Sequence, residues 1–145
     1  MRQVPGYQLW LGHVGDARDL RAVISTGILA LVDLAINEPP ATVTRELVYC
    51  RFPLLDGNGN PHWMVRAAVE AVAGLLRSGT PTLLFCGAGM SRTPIIAAAA
   101  IARLSSRTLA EAVGIVVQSG PADLSPGLLA EVQAVLNDMA GHHSD

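Results

Sequence analysis

Short apolar runs alternate with longer amphipathic stretches along this chain, and that alternation predicts strands interleaved with helices. Residues 7–11 (YQLWL) read as a first strand, ended by Gly12. Ala17, Leu20, Val23 and Ile24 then recur at helical spacing, with Asp16 and Asp19 suited to the helix start and Gly27 to its end. Residues 28–34 (ILALVDL) and 47–52 (LVYCRF) are two more runs of strand length. The second leads through Pro53-Leu54-Leu55 into the turn-rich Asp56-Gly57-Asn58-Gly59-Asn60. Asn60 reads as a cap and Pro61 as the first helical position of a helix running to about Arg77, with Gly79 beyond its end. Residues 82–86 (TLLFC) form the central strand of this reading, and an Ala-rich helix follows from Arg92 to about Leu104. Thr108 and Glu111 have the spacing of a capping box, opening a helix that ends near Gly120. A last helix runs from Ser125-Pro126 to about Ala140, and the tail, residues 141–145, is expected to be frayed.

Strands alternating with helices predict an α/β fold in one domain, residues 1–145. Its centre is a mostly parallel sheet of four to five strands, flanked by helices on both faces in three layers. Ligands of such sheets bind at the carboxyl ends of the strands. The loop after Cys86 lies at that edge, and so does the loop carrying Asp56 if its strand runs parallel.

Composition narrows the class without changing this picture. Half of the 145 residues are apolar, as a packed core requires. The net charge of −2 gives no support for binding nucleic acid or an acidic membrane. Pro5 and Gly6 interrupt the opening where a signal peptide would be apolar, and the run at residues 95–102 is too short to span a bilayer. With two cysteines and no disulfide framework, the expected setting is the reducing cytoplasm. The sequence does not name the oligomeric state; a monomer is the simplest expectation.

The candidate chemistry gathers in one stretch, residues 82–94 (TLLFCGAGMSRTP). A strand that breaks into a Gly-bearing loop and restarts as a helix directs loop N–H groups and the positive helix end at one point, which makes an anion site. Gly87, Ala88, Gly89, Met90, Ser91 and Arg92 are the phosphate-binding candidates. Arg92 brings a planar fork that grips two phosphate oxygens. Cys86, at the loop's start, is read as a nucleophile rather than a buried structural thiol, because a helix N-terminus beside a cation favours thiolate. Cys50 is read as a core residue of its strand. Asp56 is the candidate acid for the leaving oxygen and base for water, although Asp-Gly is also an ordinary turn former. Thr93 offers a hydroxyl to the departing sulfur. His62 and Trp63 either line the mouth of the site or are structural. This chemistry calls for no metal and no cofactor.

These residues resemble the cysteine-dependent protein phosphatases, and among them the compact dual-specificity group. The family loop is a cysteine, five residues, an arginine and a serine or threonine, matched here by Cys86, Arg92 and Thr93, with Gly89 and Ser91 at the family's glycine and serine. Asp56, thirty positions upstream (86 − 56), matches the family's general acid. The resemblance covers nearly the whole chain and implies hydrolysis of a phosphorylated protein or small phosphomonoester through phosphocysteine. With Arg92 as the loop's one basic residue, a single phosphate is the expected target. Two positions depart from the pattern. Phe85 replaces the usual histidine before the nucleophile, and Ser125 stands near the usual loop-bracing asparagine. The alternative is therefore a phosphate-binding module with little or no turnover; sulfur transfer is a weaker third reading, since it requires neither Asp56 nor Arg92-Thr93.

Overall fold

The computed structural model describes residues 1–143 of the chain; the end of the tail, Ser144 and Asp145, lies outside the described residues. In chain order the elements are β1 (Arg2–Gln3), β2 (Leu9–His13), α1 (Val14–Arg18), α2 (Leu20–Thr26), β3 (Ala30–Asp33), β4 (Val48–Arg51), α3 (His62–Arg77), β5 (Thr82–Cys86), α4 (Arg92–Ser105), α5 (Leu109–Val116), a 3-10 turn (Val117–Ser119) and α6 (Pro126–His143). The strands form one sheet in the order β1-β2-β5-β3-β4. Only the short edge strand β1 runs antiparallel; the other three pairings are parallel, as an α/β sheet requires.

Side chains alternate across β5 and separate the two faces. Leu84 and Cys86 enter a large cluster with α3, α4, α5 and α6, whereas Leu83 and Phe85 enter a smaller one with Ala17, Val23 and Ile28. Helix α4 lies deepest: every residue from Thr93 to Ala102 is buried. Its alanines carry little bulk, so the sheet on one side and α3 and α5 on the other can approach it closely. Helix α3 buries Val65, Ala68, Val69, Val72 and Ala73, the i, i+3, i+4, i+7 stripe of an amphipathic helix.

Several boundaries differ from the sequence expectation, each for a local reason. The first strand is shifted to Leu9–His13 because it pairs residue for residue with β5, and Gly12 lies inside it. The first helix is two: Asp19 ends α1 and its carboxylate caps α2 by accepting from Ala22 N–H at 3.2 Å. Gly27 closes α2 in the left-handed conformation, as expected. Pro61, not Asn60, occupies the cap position of α3. The Asn60 side chain instead folds back, accepting from Leu55 N–H at 2.7 Å and donating to the carbonyls of Leu55 and Gly57. The Thr108–Glu111 capping box of α5 forms in full. The last helix continues through Gly141 to His143, past the expected fraying point.

At the carboxyl end of β3, buried Asp33 organises the chain between β3 and β4. Its carboxylate accepts from the Tyr49 hydroxyl at 2.6 Å and from Ala35 N–H at 2.9 Å, and Arg51 Nε approaches it at 3.7 Å. Burial, then the bond to Asp33, pushes the Tyr49 hydroxyl above its ordinary titration range. Cys50 is half-buried on β4, and the intervening β3 sets its strand about 10 Å from that of Cys86, beyond disulfide reach. Among the described residues, no helix is long and apolar enough to cross a membrane.

Candidate active site

The candidate residues meet at the carboxyl edge of the sheet. Strand β5 ends at Cys86; β2 ends level with it at His13, and β3 ends one residue earlier, with Asp33 opposite Phe85. The chain then turns through Gly87–Ser91 and enters α4 at Arg92. Gly89 makes this turn possible: its φ is +75°, and a Cβ there would lie 2.7 Å from the Gly12 carbonyl oxygen. Its N–H donates to Cys86 Sγ at 3.2 Å, turning a backbone donor toward the sulfur. Among the described residues, the N–H groups of Ala88, Met90 and Ser91 donate to nothing within the protein. Three loop donors at the N-terminus of a buried helix are thus left for an anion.

The Arg92 guanidinium folds over the loop. Its Nη1 donates to the Leu54 carbonyl at 2.9 Å, and its Nη2 lies 3.1 Å from where a Gly87 Cβ would stand, so Gly87 keeps the space under the fork clear. The bond to Leu54 also joins the loop to the base of the segment carrying Asp56. A cavity of about 290 Å³ opens here, lined by Asp56, Cys86, Ala88, Met90, Ser91, Arg92 and Asp123. Strand β4 is parallel to β3, which is what carries its following loop to this edge. Cys86 is 2% exposed at the floor of the cavity, and Asp56 is exposed at its wall. A larger hollow of about 410 Å³, between α4, α5 and α6, holds none of the candidate residues.

Thr93, in the first turn of α4, is fully buried, and its hydroxyl has no hydrogen-bond partner. His62 and Trp63 do not line the cavity: His62 pairs with Asp138 at 2.8 Å, and Trp63 is 66% exposed. His13, the register partner of Cys86, has its imidazole turned to cap α1 through Gly15 N–H. The aromatic ring of Phe85 packs on the sheet face opposite Cys86.

Three braces of the site come from outside the Cys86–Arg92 loop. Ser125 does hold the loop, through its backbone: its N–H donates to Ser91 Oγ at 2.9 Å. Arg2, on edge strand β1, donates to the Gly89 carbonyl at 3.0 Å, to the Pro121 carbonyl at 3.4 Å and to Ser119 Oγ at 3.3 Å. Glu131, on α6, accepts from Gly59 N–H at 2.6 Å and from Asn60 Nδ2 at 2.9 Å, holding the Asp56 segment from its far side. Asp123 was also not a sequence candidate; a lone aspartate between two helices gives no pattern to find it by. Among the described residues, no group of three or more histidine, cysteine, aspartate or glutamate side chains is placed to hold a metal ion.

No protein-family model matches the chain, and no curated protein matches it in sequence. Solved structures do. The crystal structure of human DUSP28 superposes with a TM-score of 0.85 at 20% identity, covering 98% of this chain and 99% of that one. This is the dual-specificity phosphatase fold. A mouse putative dual-specificity phosphatase, crystallised with zinc tungstate, gives a TM-score of 0.85 at 20% identity over 98% of this chain and 89% of that one. The human tyrosine phosphatase-like serine/threonine/tyrosine-interacting protein gives 0.76 at 17% identity, over 100% of this chain and 98% of that one. At these identities the likeness is one of fold, and the dual-specificity fold accounts for the sheet order, the buried α4 and the loop at its start.

Proposed function

We propose that the chain is a metal-independent phosphomonoester hydrolase of the dual-specificity type, its residues 1–145 forming one catalytic domain that acts through phosphocysteine. The observation that carries this reading is the shared cavity: Cys86, Arg92 and Asp56 line it together, although Asp56 reaches it from a different loop. In the first step Cys86 Sγ, as thiolate, attacks phosphorus. The bond from phosphorus to the leaving oxygen breaks, and Asp56 supplies that oxygen with a proton. The charge on the equatorial oxygens falls to Arg92 and the free loop N–H groups of Ala88, Met90 and Ser91. In the second step Asp56 takes a proton from water, which attacks phosphorus and displaces the sulfur. The unpartnered Thr93 hydroxyl is the group offered to that departing thiolate. The substrate is a phosphorylated protein or a small phosphomonoester with a single phosphate.

The test is hydrolysis of an aryl phosphate by the native chain and by Cys86→Ser. The native chain should turn over and be inhibited by vanadate, while Cys86→Ser should bind vanadate or phosphopeptide and release no phosphate. Turnover by Cys86→Ser near the native rate would sink the mechanism. A second reading, a phosphate-binding module without turnover, has Phe85 in its favour, and one neighbour in fold is named as phosphatase-like. Phosphopeptide binding by a native chain that never releases phosphate would select it.

A further inference from the structure

The cavity carries a charge that the reaction just described does not use. Of its lining residues Arg92 is the one cation, and it faces two carboxylates, Asp56 and Asp123. Asp123 stands in the segment between the 3-10 turn and α6, two positions before the residue that caps that helix. Ser125 fills that role, its Oγ accepting from Leu128 N–H at 3.3 Å. The Asp123 carboxylate has no hydrogen-bond or ion-pair partner among the described residues. Its backbone is nevertheless fixed to the loop, because Asp123 N–H donates to the Met90 carbonyl at 2.8 Å. Arg2, the cation bonded to the neighbouring Pro121 carbonyl, does not line the cavity.

The Asp123 carboxylate is exposed to solvent on the wall of an anion site, where its charge opposes the phosphate and favours a cation beside it. A phosphate dianion is matched by the Arg92 guanidinium and the loop donors. What it leaves unmatched is Asp123. We propose that Asp123 is a specificity-determining residue that selects phosphomonoesters carrying a cationic group beside the phosphate and rejects those carrying a further acidic group. The inference rests on the phosphatase reading and sharpens its substrate class. For one unit charge on the substrate about 7 Å from the carboxylate in a half-wetted pocket, Coulomb attraction changes kcat/KM by roughly three- to tenfold, and salt weakens it.

The experiment measures kcat/KM on matched pairs. One pair consists of phosphotyrosine peptides flanked by arginine or by glutamate. The other consists of aryl phosphates bearing an aminomethyl or a carboxylate substituent, so that a peptide source and a small-molecule source of the cation are told apart by which pair is used better. The native chain should prefer the cationic member by about three- to tenfold at low salt. Asp123→Asn should bring the ratio close to one and Asp123→Lys should invert it, both melting at the native temperature. A ratio unmoved by Asp123→Asn, or a native preference for the acidic member, overturns the inference while leaving the phosphatase reading intact. If the native chain hydrolyses none of the four substrates, it is the phosphatase reading that fails; the same ratios are then read as binding affinities, and equal affinities sink the Asp123 inference separately.

Discussion

Replacing Glu131 by alanine separates two roles of the 55–60 segment, as a rigid mount for Asp56 and as a simple connection. The half-buried Glu131 carboxylate accepts from Gly59 N–H at 2.6 Å, from Asn60 Nδ2 at 2.9 Å and, more weakly, from Asn60 N–H at 3.3 Å. A hydrogen bond to a charged acceptor contributes about 1.5–3 kcal/mol net when buried. Two short bonds at the lower bound give about 3 kcal/mol, and water reaching a half-exposed site replaces roughly half of that. The remaining loss of about 1.5 kcal/mol shifts the balance between the held and the loosened segment by roughly tenfold. The bonds from Asn60 to Leu55 and Gly57 persist, so the segment loosens as a unit and does not unravel. The assay is kcat on a series of aryl phosphates of rising leaving-group basicity. Poor leaving groups need the proton from Asp56 and should slow by about three- to tenfold, whereas good ones should change less than about twofold. Glu131→Gln, which keeps an acceptor oxygen, should fall between. In an Asp56→Asn background Glu131→Ala should add almost nothing, because the group it positions is gone. Equal slowing across the series, or full additivity with Asp56→Asn, would refute the positioning argument and leave Glu131 a purely structural residue.

Two further outcomes follow from contacts away from the cavity. A Cβ on Gly120 would lie 2.6 Å from Arg2 Cδ, so Gly120→Ala should dislodge Arg2 and break its bonds to Gly89 and Pro121. Hydrogen exchange at Gly89 N–H, the loop amide bonded to Cys86 Sγ, should then quicken about as much as in Arg2→Ala, with the double variant no worse than either; strictly additive effects would show that Gly120 acts elsewhere. Tyr49→Phe should lower stability near neutral pH by about 1–2 kcal/mol, because Asp33 loses its hydroxyl donor. Burial and the Asp33 bond raise the tyrosine above its ordinary value of 10.0, so the native contribution is full below that pH and fades as pH rises past it. Unfolding curves of the two proteins should converge above about pH 10, and a constant gap would contradict the assignment.

The layered sheet was legible because β3 and β5 are apolar runs of strand length, and Thr108–Glu111 was legible because a capping box is a local signal. The Cys86–Arg92 loop stands out as a candidate because a strand, a Gly-bearing loop and a helix follow one another, and Asp56 because of the family spacing; the two line one cavity. What escaped depends on long-range contact. Two-residue β1 has no pattern and exists because β2 offers an edge. Asp19 splits the first helix because its carboxylate finds Ala22 N–H, an ambiguity between a first-turn acid and a cap that periodicity does not resolve. Asn60 has the composition of a cap, but Glu131, seventy-one residues away, draws it and the Asp56 loop together. Ser125 reads as a shortened brace by side-chain length, whereas the brace is its backbone. Phe85 is distinguished only by what it is not; in place it fills the small cluster against α1 and α2, on the face of the sheet that Cys86 does not share.

The bonds of Arg2 to Gly89 and Ser119 span sequence separations of 87 and 117, and those of Glu131 to the Asp56 segment span 71 and 72. The central pairing of β2 with β5 spans a comparable 73 residues (82 − 9), so the braces and the sheet close loops of similar length. The loop and the Asp56 segment are therefore held from both ends of the chain, by Arg2 near its start and Glu131 near its close. Trimming either end would thus remove a brace of the site without touching any residue that lines its cavity.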